Sequence, residues 1–265
     1  MIERTDMTHV IILAGGKGKR MNSEQEGPKV LRKVGGVSLI LRTLSAVRPI
    51  CETPTIVVGF GADQVITATG ERYHYVHQAE QLGTGHAVAC AKRELAARRD
   101  IRHIIVLNGD HPFISTDMLR QLVATREESR ASIVMATIVV PDFEDYRIGL
   151  NSFGRVVRNA NGSVRSIVEF KDADTETREL REVNPNYYCF DPDWLWAHVE
   201  KLSNTNVAKE FYITDLVGIA VAEGARVEAF PLADPREGLG VNTPEELASA
   251  EASVPGGHRA ASDSR

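Results

Sequence analysis

Residues Val10 to Met21 read VIILAGGKGKRM, and the fold hangs on this stretch. The apolar, β-branched run from Val10 to Ala14 predicts a buried strand, and a glycine-rich turn follows it directly. Gly15, Gly16 and Gly18 allow close backbone approach, while Lys17, Lys19 and Arg20 add positive charge. Ligands of open α/β sheets bind at the carboxyl ends of strands, where the N–H groups of such a turn can cradle phosphates. Two common phosphate-binding patterns fail here. There is no G-x-x-x-x-G-K-[ST], and Met21 stands where G-x-G-x-x-G needs its third glycine, which disfavours a dinucleotide-dependent dehydrogenase.

Outward from this turn, strands are predicted at 9–14, 55–59, 103–108 and 131–140, alternating with helical spacing at 37–48, 84–98 and 116–128. That alternation predicts a doubly wound α/β architecture. The pattern changes after Pro141. Residues 155–158 (RVVR) and 164–170 (VRSIVEF) flank Asn161-Gly162, a hairpin signal. A strand from Tyr187 to Phe190, a helix opening at Asp191-Pro192 and another from Thr214 to Ala222 follow. Thr243-Pro244-Glu245-Glu246 announces the last helix, with an N-cap, a first-position proline and a glutamate three residues after the cap. We expect one domain over 8–250, with a nucleotide-binding part at 8–140, a β-rich part at 141–250 and a disordered tail at 253–265.

The chain of 265 residues is 43% hydrophobic, long enough to bury a core without disulfides or a structural metal. Thirty-one Lys and Arg against 36 Asp and Glu leave a net charge of −5, with no basic excess for a nucleic acid. Cys51, Cys90 and Cys189 have no C-x-x-C spacing, which fits reduced thiols. The apolar run at Val10 to Ala14 is too short for a signal peptide or a membrane span. A cytoplasmic protein, monomeric or a small homo-oligomer, is the expectation.

LAGGKGKRM (13–21), followed by Pro28-Lys29-Val30-Leu31, resembles the signature of the sugar-phosphate nucleotidyltransferases, whose usual form is G-x-G-T-R-M followed by P-K-x-L. QAEQLGTGHA (78–87), NGD (108–110), EFKDA (169–173), EFYITDL (210–216) and GVN (240–242) extend the likeness in the same order. Within that superfamily the chain is most similar to the uridylyltransferase domain of bacterial N-acetylglucosamine-1-phosphate uridylyltransferases. The resemblance implies a Rossmann-like, mixed and mostly parallel sheet with an inserted β-rich sugar-binding lobe. It also implies a reaction, in which a sugar-1-phosphate oxygen attacks the α-phosphorus of UTP and pyrophosphate leaves, with Mg2+ as cofactor.

Carried over residue by residue, the resemblance makes Arg20 and Lys29 the catalytic cations and Asp110 and Asn242 the metal ligands. Leu13, Ala14, Gly15, Gly16 and Gly18 would hold the nucleotide, Gln78 would read the uracil edge, and Gly83 and Thr84 would bring backbone donors near the base. Gly154, Glu169 and Asn184 would contact the amino sugar. Such transfer needs positioning and charge neutralisation more than a covalent nucleophile. The histidines, including His74-x-x-His77, His86 and His111, are assigned no catalytic role.

The departures from the family pattern gather on the sugar side. Asn108 replaces a larger residue, Asn184-Pro185-Asn186 replaces Asn-Thr-Gly, and about eight extra residues lie near Asp145 to Ser152. Lys19 stands in place of Thr, and residues 22–27 (NSEQEG) form a longer, acidic, lid-like segment. The acceptor's identity is therefore open, and two alternatives stand beside the leading one: the same reaction with another nucleotide or phosphorylated acceptor, and a non-catalytic nucleotide-sugar binder. No hexapeptide repeats follow the domain, so the resemblance implies nucleotidyl transfer without acetyl transfer or the trimer that a repeat domain builds.

Overall fold

The structure, a computed structural model, describes residues 7–21 and 23–254. In chain order the elements of the first half are β1 (Thr8–Leu13), α1 (Ser23–Glu26), β2 (Lys33–Val34), β3 (Val37–Ser38), α2 (Leu39–Val47), β4 (Thr55–Val58), α3 (Ala62–Thr69), β5 (His74–His77), α4 (Thr84–Leu95), β6 (His103–Asn108), α5 (Thr116–Ser129) and β7 (Ile133–Val139). The second half adds β8 (Gly154–Arg158), β9 (Val164–Val168), α6 (Thr175–Arg178), β10 (Glu182–Asn184), β11 (Tyr188–Phe190), α7 (Pro192–His198), α8 (Asp215–Ala222), β12 (Val227–Pro231) and α9 (Pro244–Ala252).

One mixed sheet runs in the order β5-β4-β1-β6-β11-β7-β10-β8-β9, with β12 also pairing to β7. Pairing is parallel from β5 through β6 and between β7 and β12. The short β11 is wedged antiparallel between β6 and β7, and β10, β8 and β9 extend the sheet antiparallel.

Alternation along the strands separates two cores. Val10 and Ile12 of β1 join Ile40 and Leu44 of α2 and Leu119 and Leu122 of α5, while Ile11 joins Val88 and Ala91 of α4 and Leu216 of α8. A strand apolar on both faces must be covered on both, which is why the helices fall on the two sides of the sheet. Among the described residues no helix is long and apolar enough to cross a membrane.

The four strands and three helices expected in the first half are present within a few residues. α3 and β5 went unread. In β5, His74 and His77 are three residues apart in an extended chain and so point to opposite faces, which disposes of a shared metal site. The hairpin forms, but its turn spans 159–163 rather than Asn161-Gly162 alone. Asn159 donates to Ser163 O and accepts from Gly162 N, while Asn161 Oδ1 accepts from Ser163 N and Oγ. Residues 255–265 of the expected tail, and Asn22 of the NSEQEG segment, lie outside the described residues; Ser23–Glu26 form the helical turn α1.

The extra residues at Asp145–Ser152 form a 3-10 helix, which is fastened to the sheet by a buried cation. Arg155 in β8 has no solvent exposure. It donates from Nη1 to Phe153 O, from Nη2 to the main-chain and side-chain oxygens of Asn151, and from Nε to Arg178 O. Its guanidinium also lies 4.8 Å from the Phe143 ring centroid and 5.1 Å from that of Phe170.

Two buried imidazoles make the fold acid-sensitive. Burial, followed by Arg98 and His74, holds His9 at about 4, and burial with Arg126 does the same to His103, whose Nδ1 accepts from Arg126 Nη1 at 2.9 Å. In the unfolded chain both protonate near 6.5. Their contribution to stability is therefore intact above pH 6.5 and lost as pH falls from 6.5 to 4, on the order of 3 kcal/mol each. Thermal unfolding followed by circular dichroism should show Tm falling across that window. The variant His9→Gln, which keeps a donor for Thr55, should flatten part of the slope; an unchanged slope would contradict the assignment.

Candidate active site

The parallel strands β1, β4, β5 and β6 end along one edge of the sheet, where Leu13 pairs with Asn108 and Val58 with His77. The loop after β1 is pinned there, with Ala14 N donating to Val57 O and Phe60 N donating to Gly15 O. Gly15 is required for this contact: a Cβ would come within 3.0 Å of Gln78 Oε1 and 3.2 Å of Gly59 N. A cleft of about 760 Å³ opens above the edge. Leu13, Ala14, Gly15, Gly16, Gly18, Lys29, Gln78, Gly83, Thr84, Asp110 and Asn242 all line it, so the residues expected on the nucleotide and metal side are brought together.

Lys29 is delivered by a close packing event. Pro28 rests on Gly61 at the start of α3, where a Cβ would come within 2.3 Å of Pro28 Cγ. The Lys29 ammonium then pairs with Asp110 Oδ2 and donates to Asn242 Oδ1 at 2.7 Å. Asp110 is buried, which alone would raise its pKa, but Lys29 and then His111 bring it below the usual carboxylate range. Among the described residues its Oδ1 is buried without a hydrogen-bond partner, with His111 Nε2 3.4 Å away. Burial pushes His111 down, and its Nδ1 lies 2.7 Å from the Tyr187 hydroxyl.

Asn242 is held by the start of α9. Thr243 is the N-cap, accepting from Glu246 N at 3.2 Å, and Glu246 reaches back to accept from Asn242 N at 2.5 Å. The capping pattern read from the sequence thus acts one residue early, fixing the backbone of Asn242 while its side chain faces Lys29. Val241 N donates to Asp110 O and closes the same junction.

A second cleft, of about 640 Å³, shares Gly18, Lys29, Lys171, Glu210 and Asn242 with the first and adds Arg20, Ser152, Glu169, Phe170 and Tyr212. Arg20 therefore lies with the second cleft, not the first. Glu169 accepts from Thr214 Oγ1 at 3.0 Å. Burial raises its pKa, and Asp215, Asp172 and Glu210 add to the rise. Gly154 lines neither cleft but sits behind Glu169, where a Cβ would stand 3.4 Å from Oε1.

Asn184 also lines neither cleft. It is 2% exposed, and its Nδ2 donates to Asn186 Oδ1 at 2.9 Å and to the Tyr188 hydroxyl at 2.7 Å. Asn186 N donates back to Asn184 Oδ1, from a left-handed backbone at φ +63°. The Asn-Pro-Asn sequence closes on itself, so the structure does not bring Asn184 to either cleft. Lys171 borders both clefts, and its place inside EFKDA is the signal in the sequence that marks it.

Thr84 Oγ1 accepts from Ile213 N, and Gly85 N donates to Phe211 O, so the segment QAEQLGTGHA packs directly on EFYITDL. Gly83 needs its glycine for this, since a Cβ would come within 2.6 Å of Phe211 O, and its φ is +111°.

The Bifunctional protein GlmU of Heliobacterium modesticaldum is 39% identical over 243 residues, covering 91% of this chain and 51% of the relative. The Bifunctional protein GlmU of Brevibacillus brevis is 38% identical over 245 residues, covering 92% and 51%. The chain thus spans about half the length of the curated relatives it matches. A solved UDP-glucose pyrophosphorylase complexed with UDP-glucose shares the fold with a TM-score of 0.72 at 16% identity, over 93% of this chain and 97% of that one. A family model described as the MobA-like NTP transferase domain matches residues 10–207, and the chain belongs to that family.

Proposed function

We propose that the protein joins UTP to a sugar-1-phosphate, N-acetylglucosamine-1-phosphate in the leading reading, giving a UDP-sugar and pyrophosphate. The observation that carries this is Lys29, shared by Asp110 and Asn242 at the border of two adjoining clefts. One cleft suits a nucleoside triphosphate and the other a phosphorylated acceptor. The likeness to curated relatives and to a nucleotide-sugar enzyme supports the same reading. In this reading residues 8–140 take the nucleotide and 141–250 the acceptor, and the free thiols of Cys51, Cys90 and Cys189 suit a cytoplasmic setting.

The acceptor's phosphate oxygen attacks the α-phosphorus in line while the bond from that phosphorus to the pyrophosphate oxygen breaks. A phosphate monoester is already ionised, so no protein base is required. The protein's part is to align the two phosphates and to oppose their charge. Arg20 offers a fork of donors and Lys29 a compact charge between the clefts.

Asp110 and Asn242 fit a magnesium ion. Both offer hard oxygen atoms around one cationic position, and Asp110 Oδ1 is a buried oxygen without a hydrogen bond among the described residues. Among the described residues no group of three or more His, Cys, Asp or Glu could hold a metal alone, so substrate phosphates and water would complete the set. There magnesium would neutralise charge on the α-phosphate and the leaving pyrophosphate.

A second reading keeps the reaction and changes the acceptor. It is favoured by the engagement of Asn184 with Asn186 and Tyr188 rather than with the cleft.

Pyrophosphate release should appear when the protein and magnesium meet UTP and one member of a panel of sugar-1-phosphates. Silence with every triphosphate and every acceptor would sink the reading, whereas release with an acceptor other than N-acetylglucosamine-1-phosphate would select the second. Replacing Lys29 by Ala should cut turnover at least about a hundredfold. Without divalent cation, Lys29→Met should destabilise the fold by about 3 kcal/mol, because Asp110 is left buried and unpaired. Millimolar magnesium should then raise the Tm of this variant more than that of the wild type, and an equal rise would count against Asp110 as ligand.

A further inference from the structure

A carboxamide can read the edge of a base only if its two ends are told apart. Gln78 Nε2 lies 3.0 Å from Gly83 O and 3.1 Å from His86 Nδ1. A backbone carbonyl only accepts, so the NH2 end of Gln78 must be the one facing it. The second N–H then points at His86 Nδ1, which must be the accepting, unprotonated nitrogen of the ring. The ring proton is left on Nε2, 3.9 Å from Cys90 Sγ, a weak acceptor.

Both N–H groups of the carboxamide are thus engaged. Its Oε1 makes no hydrogen bond among the described residues and lies beside Gly15 on the wall of the nucleotide cleft. The imidazole itself is backed by Phe211, with ring centroids 6.4 Å apart and planes tilted by 36°. Gln78 is 4% exposed and cannot easily turn over.

We propose that His86 is a positioning residue for base choice: it holds the Gln78 carboxamide with Oε1 toward the nucleotide, so that the cleft favours a pyrimidine carrying an imide N–H over one presenting a lone pair there. The proposal rests on the uridylyltransferase reading above. Uracil N3 carries a proton and cytosine N3 a lone pair, so a fixed acceptor at that edge pairs with the first and repels the second. Without an acceptor at position 86, one N–H of Gln78 loses its partner and the carboxamide is free to rock.

The test is the affinity for UTP and for CTP, measured by calorimetry with magnesium and no acceptor, in the wild type and in two variants. His86→Phe keeps a ring against Phe211 but accepts no hydrogen bond; His86→Asn restores an acceptor close to the place of Nδ1. The wild type should prefer UTP. His86→Phe should bind UTP about three- to tenfold more weakly with CTP unchanged, and His86→Asn should recover most of the loss. In turnover the KM for UTP should rise in His86→Phe while kcat at saturating UTP stays close to wild type.

The proposal fails if His86→Phe binds UTP as the wild type does, or if both variants lose UTP and CTP alike. A wild type that turns over but does not prefer UTP to CTP overturns the base reading beneath it as well. Should His86→Phe not fold, the side-chain amide protons of Gln78 in wild-type nuclear magnetic resonance spectra decide. Two protons protected from exchange are expected, and a freely rotating amide overturns the proposal.

Discussion

The Lys29 ammonium, held between Asp110 and Asn242, is the contact on which the arrangement of the site depends. It joins segments 81 and 213 residues apart in the chain, and each arrives by a different route. Pro28 seats on Gly61, Asp110 follows the end of β6, and Asn242 is fixed by Glu246 at the start of α9. A buried carboxylate without this cation would cost several kcal/mol, so the three segments are held together by the need to neutralise Asp110.

The second half of the chain converts that junction into a two-sided site. β11 enters the sheet antiparallel between β6 and β7 and carries Tyr188 under Asn184, while Tyr187 reaches His111 beside Asp110. Arg155 anchors the 145–152 segment, whose last residue, Ser152, borders the second cleft. Of the departures from the family pattern, the 145–152 segment reaches the second cleft through Ser152, Asn108 lines the first, and Asn184 lines neither. The first cleft joins the strand ends to Lys171, Glu210 and Asn242 of the second half.

Much of this was legible because local chemistry and global fold agree where the parallel strands lie. The run VIILA, the glycine turn after it and the Thr243–Glu246 cap signal their structure within a few residues, and all three are seen. α3 and β5 are faint in the sequence because ADQVITAT is only eight residues long and HYVH is a four-residue edge strand with two polar ends. β12 escaped because its partner, β7, lies about ninety positions earlier in the chain, and only tertiary pairing makes VEAFP a strand. In the site, the motif residues expected to act together on nucleotide and metal share the first cleft. Motif order could not foretell that Asn186 would engage Asn184, since that depends on a left-handed backbone at a non-glycine residue.

The central claim is direct transfer of a nucleotidyl group between the two clefts, and the fate of oxygen tests it most directly. With a sugar-1-phosphate labelled with 18O in its phosphate, UTP and magnesium, 31P nuclear magnetic resonance should place the label in the diphosphate of the UDP-sugar and none in pyrophosphate. Label in pyrophosphate, or pyrophosphate formed without any UDP-sugar, would contradict the account.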